Sequence, residues 1–238
     1  RGTLPQNTAD FLVKGSLPDP ELQLGIEFDR VLSEMGIMHE GPSLSTRLTH
    51  LSPPAGTWQK VIEYNGKTLR EIVRETNYES INVFAEGLMR LTSYVKTGDG
   101  THEKSSGYMQ SYWKEKLKTN ALFLSDGSGL ARTNAIDAKT MCELLVYMDT
   151  STGKADFYNS LPVAGVSGTL KNVAKNQAAH GKIHAKSGTM RRTKSYAGYA
   201  ETTSGKKIAF AFIVNNYTGS NKDVTTQMEV LMNELVKQ

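Results

Sequence analysis

Ser80 and Asn82 stand two residues apart beside a polar break, NYES, between two apolar-periodic stretches. Lys186, Ser187 and Gly188 stand side by side near the end of a stretch that reads as a strand. A hydroxyl, a carboxamide and an ammonium are the groups with which a histidine-free serine hydrolase relays protons. Such an enzyme needs a nucleophilic serine with a lysine one helical turn later (SxxK). It then needs a Ser-x-Asn that continues the relay and holds a substrate amide, and a Lys-Thr/Ser-Gly on a strand that binds a carboxylate. The second and third elements are present, in that order. A blander role is open to each: Ser80 can be a plain helix cap, and a solvent-facing edge strand accounts for the lysine triplet. By the two-residue period Lys186 and Gly188 share one face, and Ser187 leans the other way unless the strand end twists. Lys96, Thr97 and Gly98 fit the triplet too, but they end a helix, where Lys complements the C-terminus and Gly caps it.

The first element is not found upstream of Ser80. SxxK is matched literally at Ser93, Ser111, Ser151 and Ser204, all later in the chain. A pattern this loose recurs by chance. Ser93 and Ser111 are expected on the exposed halves of amphipathic helices and Ser204 in a hairpin turn, so none reads as the nucleophile.

The elements that must position these groups follow from periodicity and punctuation. DFLVKGSL, within residues 1–18, is expected to be a strand. Asp19 caps a helix with Pro20 at its first position, Leu24, Phe28, Val31, Leu32 and Met35 on one face, and Gly36 at its end. Residues 39–60, with Pro42, Pro53, Pro54 and Gly56, read as the joint between an N-terminal part and the rest. Helices are expected over about 67–76, 81–95 and 101–118, and another after the cap Asp137. Between the last two, LFLSDGSGLART reads as a strand end and a glycine-rich loop. Residues 151–181 read as short helix and loop, followed by strands at 182–189, 195–203 and 206–216 and a closing helix with Val224, Met228, Leu231 and Leu235 on one side. IAFAFIV, apolar on both faces, reads as a strand inside the sheet. Helices clustered in the middle and hairpin-linked strands near the end make an α+β fold with an antiparallel sheet flanked by helices.

Composition narrows the classes. The 238 residues carry a formal net charge of +4 with no long basic run, so nothing calls for nucleic acid; an acidic ligand or an anionic envelope surface fits. The single cysteine, Cys142, excludes an intrachain disulfide and reads as a small buried hydrophobe. No apolar run reaches the roughly 18 residues of a membrane span. No histidine pair has zinc spacing, and no metal or cofactor is expected. His184, two residues before Lys186, reads as a sheet-packing residue.

Together NYESINVFAEGL, LSDGSGLART, LPVAGVSGTL and HAKSGTM resemble the class C low-molecular-mass penicillin-binding proteins, D-alanyl-D-alanine carboxypeptidases/endopeptidases of bacterial envelopes. The resemblance covers roughly residues 65–238, and more faintly GTLPQ and the helix at 20–35. It implies the penicillin-binding/serine β-lactamase-like transpeptidase fold, incomplete in this chain. It also implies acyl-enzyme chemistry on peptidoglycan stem peptides, β-lactams as covalent inhibitors of the full-length protein, and a periplasmic or other extracytoplasmic location with room for contact with a membrane surface. Ser80 and Asn82 match the Ser-x-Asn motif, with Ile81 where many members carry Asp, and Lys186, Ser187 and Gly188 match Lys-Thr-Gly. The backbone N–H of Thr189 looks like half of an oxyanion hole, and its hydroxyl is placed to hold a terminal carboxylate. Asp126, Gly127, Ser128 and Gly129 look like the family's DGSGL loop, which shapes the cleft; Asp126 and Ser128 are taken as substrate-binding. In that family the SxxK segment lies far upstream of a long insertion. The chain is therefore expected to be a C-terminal portion, with residues 1–62 the tail of an inserted domain and linker and residues 63–238 the second half of the catalytic domain. Alone it is expected to be inactive and to bare a sheet edge. Two other readings stay open: a non-catalytic module that binds peptidoglycan or a partner, and a β-lactamase of related fold.

Overall fold

The computed structural model describes residues 6, 15, 17–49, 56, 57, 59, 60 and 62–238. The expected strand DFLVKGSL and the GTLPQ segment fall almost wholly outside the described residues. The chain divides into two compact units, Arg1–Tyr64 and Asn65–Gln238.

In the first unit α1 (Pro20–Glu34) begins as the sequence dictates. Pro20 needs no amide partner at the helix start, and Asp19 accepts the Leu22 N–H at 3.1 Å. The other Asp19 carboxylate oxygen accepts the Ser45 hydroxyl at 2.7 Å, which ties the start of the short helix α2 (Thr46–Thr49) to the start of α1. The apolar face of α1 is formed, but Leu24, Phe28 and Met35 on it are exposed.

In the second unit Thr68 and Glu71 form a reciprocal capping box that starts α3 (Leu69–Glu79). Ser80 then turns left-handed, with φ 59° and ψ 49°, Ile81 is extended, and α4 (Asn82–Thr97) begins. This kink is shorter than the polar break expected from NYES, because α3 runs on through Glu79. Helix α5 (His102–Leu117) follows. Strands β1 (Leu122–Phe123) and β2 (Ala135–Ile136) pair and close the glycine-rich loop between them. Asp137 caps α6 (Ala138–Thr150) by accepting the Thr140 N–H at 2.6 Å. Helix α7 (Lys154–Ser160) and a 3-10 turn, Gly168–Leu170, lead to β3 (Ile183–Met190), β4 (Thr193–Glu201), β5 (Lys207–Asn215) and α8 (Asn221–Leu235).

The three long strands form an antiparallel sheet in the order β3-β4-β5. Ile183, Ala185, Tyr196, Ala200 and Phe210 pack on one face against Met228 and Met232 of α8 and the following Val236. Tyr199, with Ala197 and Ala209, packs on the other against Leu145 of α6, Phe157 of α7 and Leu161. Each large apolar side chain buried this way contributes about 1.5–3 kcal/mol. The fold is α+β, as expected. One detail differs: among the described residues β4, not β5, is the inner strand. IAFAFIV is apolar on both faces because helices cover both, and such coverage does not require a strand neighbour on each side.

Candidate active site

Register places Lys186 opposite Ala197 and His184 opposite Tyr199, so both side chains emerge on the α6–α7 face of the sheet. The segment after α7 runs along the outer edge of β3: the Ala164 N–H donates to Ile183 O at 2.9 Å and the Ala185 N–H to Pro162 O at 3.0 Å. The same stretch docks on the end of α3. A Cβ at Gly168 would lie 2.7 Å from Tyr78 O, and Asn77 Nδ2 donates to Ser160 Oγ at 2.7 Å. The left-handed residue two positions after Tyr78 is Ser80. The end of α3, the segment after α7 and β3 are thus locked in series, and the kink is brought to the strand.

The result is a hydrogen bond from Lys186 Nζ to Ser80 Oγ at 2.8 Å, between residues 106 positions apart. Lys186 Nζ also donates to Ser187 O at 2.8 Å. Ser80 does not cap α4: the cap position is Ile81, without a side-chain bond. Its hydroxyl therefore accepts from Lys186 and keeps its own proton for donation. Burial, and after it the neighbouring charge of Lys194, holds the Lys186 ammonium below the ordinary lysine range. A base beside a hydroxyl needs that direction of shift.

Around this pair lies a cleft of about 1110 Å³, lined by Ser80, Asn82, Ser128, Lys186, Ser187, Gly188 and Thr189 among others. Ser187 Oγ donates to Thr169 Oγ1 at 3.1 Å. Gly188 makes room for a side chain of the next strand, since a Cβ there would meet Ser195 Oγ at 2.5 Å. The Ile183 carbonyl and Ala185 N–H point away from β4, toward the edge segment. By the alternation of an antiparallel ladder the Thr189 N–H points to that same side, where the edge segment no longer covers the strand. The Thr189 hydroxyl accepts Lys194 Nζ at 2.9 Å.

Asp126, expected to bind substrate, is absent from the lining of this cleft. Its carboxylate accepts the Gly129 and Ala131 N–H groups at 2.8 Å each, Asn134 Nδ2 at 2.7 Å and Ser128 Oγ at 3.1 Å. Burial would raise its pKa, but these donors outweigh burial and lower it. Asp126 shapes the loop from within and leaves Ser128 on the cleft wall. The loop is fixed to α4 by Glu86, whose Oε2 accepts the Gly127 N–H at 2.9 Å. A Cβ at Gly127 would lie 2.7 Å from Ala85 O, so only glycine allows that approach.

Ser93 also departs from expectation. It is fully buried, and its hydroxyl donates to Asp99 O at 2.7 Å, closing the turn after α4. Ser151 donates to Met148 O at 2.8 Å, and Ser204 pairs with Thr202 in the turn between β4 and β5. Neither these nor Ser111 line the cleft. His184 packs as expected, its ring stacked on Tyr158 at 4.3 Å between centroids.

A sequence model of the D-Ala-D-Ala carboxypeptidase 3 (S13) family matches residues 1–235. The chain belongs to the S13 family. A D-alanyl-D-alanine carboxypeptidase of Actinomadura sp. (strain R39) is 29% identical over 227 residues, which are 92% of this chain and 41% of that protein. The D-alanyl-D-alanine carboxypeptidase DacB of Haemophilus influenzae is 24% identical over 98% of this chain and 48% of its own length. The chain thus spans less than half the length of these S13 relatives. The crystal structure of penicillin binding protein 4 (dacB) from H. influenzae, complexed with a β-lactam, superposes with a TM-score of 0.82 at 23% identity, over 94% of this chain and 53% of that one. That likeness shows the penicillin-binding fold.

Neither Glu86, inside NYESINVFAEGL, nor Lys194 stands at a spacing that marks chemistry. Only the fold brings Glu86 to Gly127 and Lys194 to Thr189.

Proposed function

We propose that the whole protein is a serine-type D-Ala-D-Ala carboxypeptidase/endopeptidase acting on peptidoglycan stem peptides outside the cytoplasm, with β-lactams as covalent inhibitors. In this reading residues 63–238 supply the second half of the catalytic domain and residues 1–62 the tail of an inserted domain. The observation that carries it is the 2.8 Å hydrogen bond between Lys186 and Ser80 in a cleft that Asn82, Ser187 and Thr189 also line.

The chemistry is acyl transfer. A nucleophilic serine from a part of the polypeptide outside these 238 residues attacks the peptide carbonyl between the two D-alanines. Its proton passes to its own lysine partner and on through Ser80 to the leaving amine, while Lys186 donates a hydrogen bond to the Ser80 oxygen. Ser80 can hand a proton on because it accepts from Lys186 while donating forward. Asn82 holds the substrate amide, and Lys186 with the Ser187 and Thr189 hydroxyls attracts the terminal carboxylate. The Thr189 N–H supplies one of the two donors that stabilise the oxyanion. Water then releases the acyl group. Ile81 does not interrupt this path, since the two reacting side chains flank it.

The test uses the full-length polypeptide. A fluorescent penicillin should label it at a serine outside residues 1–238, and a peptide ending in D-Ala-D-Ala should release D-alanine. The 238 residues alone should take no label. Binding of the peptide without D-alanine release would favour a non-catalytic module. Turnover of nitrocefin in preference to peptide would favour a β-lactamase. Label on Ser93, Ser111 or Ser151 would overturn the placement of the motifs.

A further inference from the structure

Lys194 stands on β4 opposite Thr189 and is 9% exposed. Its ammonium donates to Thr189 Oγ1 at 2.9 Å and lies 4.9 Å from the centroid of the Tyr196 ring. Among the described residues neither Lys194 nor Lys186 has a carboxylate within ion-pair distance. A charge withdrawn from water without a counter-ion is costly. The β3–β4 pair nevertheless carries a buried lysine, Lys194, on one face of the sheet and a half-buried one, Lys186, on the other, beside the open end of β3.

Thr189 connects the buried cation to the cleft. It is exposed, it lines the cleft, and its oxygen is engaged as an acceptor by Lys194. A threonine hydroxyl has a single proton. With the oxygen turned toward an ammonium, that proton is directed away from Lys194.

We propose that Lys194 is a positioning residue for substrate selection: it fixes the Thr189 hydroxyl as a donor into the cleft and so favours ligands ending in a free carboxylate over the same ligands ending in an amide. The inference rests on the peptidase reading of the cleft and adds to it a residue outside the three motifs. Lys194 touches no substrate and acts through Thr189.

The experiment compares kcat/KM of the full-length protein on a peptide ending in D-Ala-D-Ala and on the same peptide with its C-terminus amidated. The variants are Lys194→Met, Lys194→Arg, Thr189→Val and the double variant Lys194→Met/Thr189→Val. Losing a charge-assisted hydrogen bond should cut the preference for the free acid about tenfold in Lys194→Met, chiefly through KM. Lys194→Arg should restore most of it. Thr189→Val should lower the preference as Lys194→Met does, and the double variant no further. A Lys194→Met protein that loses activity equally on both peptides overturns the proposal, as does full additivity in the double variant. If Lys194→Met does not fold, an unchanged preference in Thr189→Val overturns it. A wild-type protein that neither takes penicillin label nor releases D-alanine defeats the peptidase reading, and this inference with it. An active wild type with an unmoved preference defeats this inference alone.

Discussion

Glu86 on α4 accepts the backbone N–H of Gly127 at 2.9 Å while its other oxygen accepts from Arg90 and His102, each at 3.1 Å. One carboxylate therefore pins the glycine-rich loop to the helix that begins at Asn82. Gly127→Ala would press a methyl group against Ala85 O and the Met89 side chain, at 2.7 and 2.9 Å. The expected loss is about 1–3 kcal/mol, the range for overpacking. Urea denaturation of the variant against wild type measures it; an unchanged midpoint would mean that the loop is not held by that approach.

Acid should weaken the fold in part through the same region. Glu86 and Asp126 both have their pKa lowered in the fold from ordinary values of 4.5 and 3.8; burial opposes the shift and the donors that bond them outweigh it. A depressed carboxylate adds stability that is fully present above its unfolded pKa and is lost as pH falls through the folded one. The urea midpoint should therefore hold down to about pH 5 and drop below it. Asp126→Asn should start lower and show a flatter decline. A variant as steep as wild type would remove Asp126 from the account.

Lys186 should add a rise of the same sign at the alkaline end. Burial and the nearby Lys194 lower its pKa from 10.5, so the folded state disfavours the ammonium. The cost is present at neutral pH, below the folded value, and is relieved as pH rises through that value toward 10.5. Lys186→Met should leave the chain at least as stable as wild type at pH 7 and reduce the gain that wild type shows at alkaline pH, since Lys194 is lowered as well. In the full-length protein the same variant should lower D-alanine release by about 10²–10⁴-fold, the usual worth of positioned proton transfer. Loss of both stability and activity would indicate a packing role instead.

Ser93 offers a control on the nucleophile. Ser93→Ala removes a buried hydroxyl and leaves Asp99 O without that donor. It should destabilise by about 1 kcal/mol. Penicillin labelling of the full-length protein should be unchanged once the variant is folded; its disappearance would return Ser93 to candidacy.

The sequence revealed the Ser80–Lys186 pairing because the motifs carry chemistry in their residue types and order. Helix starts were legible for a similar reason: Asp19, Asp137 and Pro20 act on their own neighbours. What escaped depends on distant partners. The burial of Ser93 follows from how α4 packs, and amphipathic periodicity located that face only coarsely. Asp126 looked like a cleft residue because its loop is one, yet its carboxylate is consumed by Gly129, Ala131 and Asn134. β5 looked interior because two-sided apolar character reports helices above and below, not strands on both flanks.

Ser80 and Lys186 are 106 residues apart, and no shorter-range contact substitutes for their meeting. The hydroxyl–amine couple can arise only after the helices around the kink and the late hairpin have docked, which makes it a late event in folding. A nascent or partly folded chain would present neither an activated oxygen nor a shaped crevice. The couple would then be assembled only once the chain has folded, a timing that follows from topology.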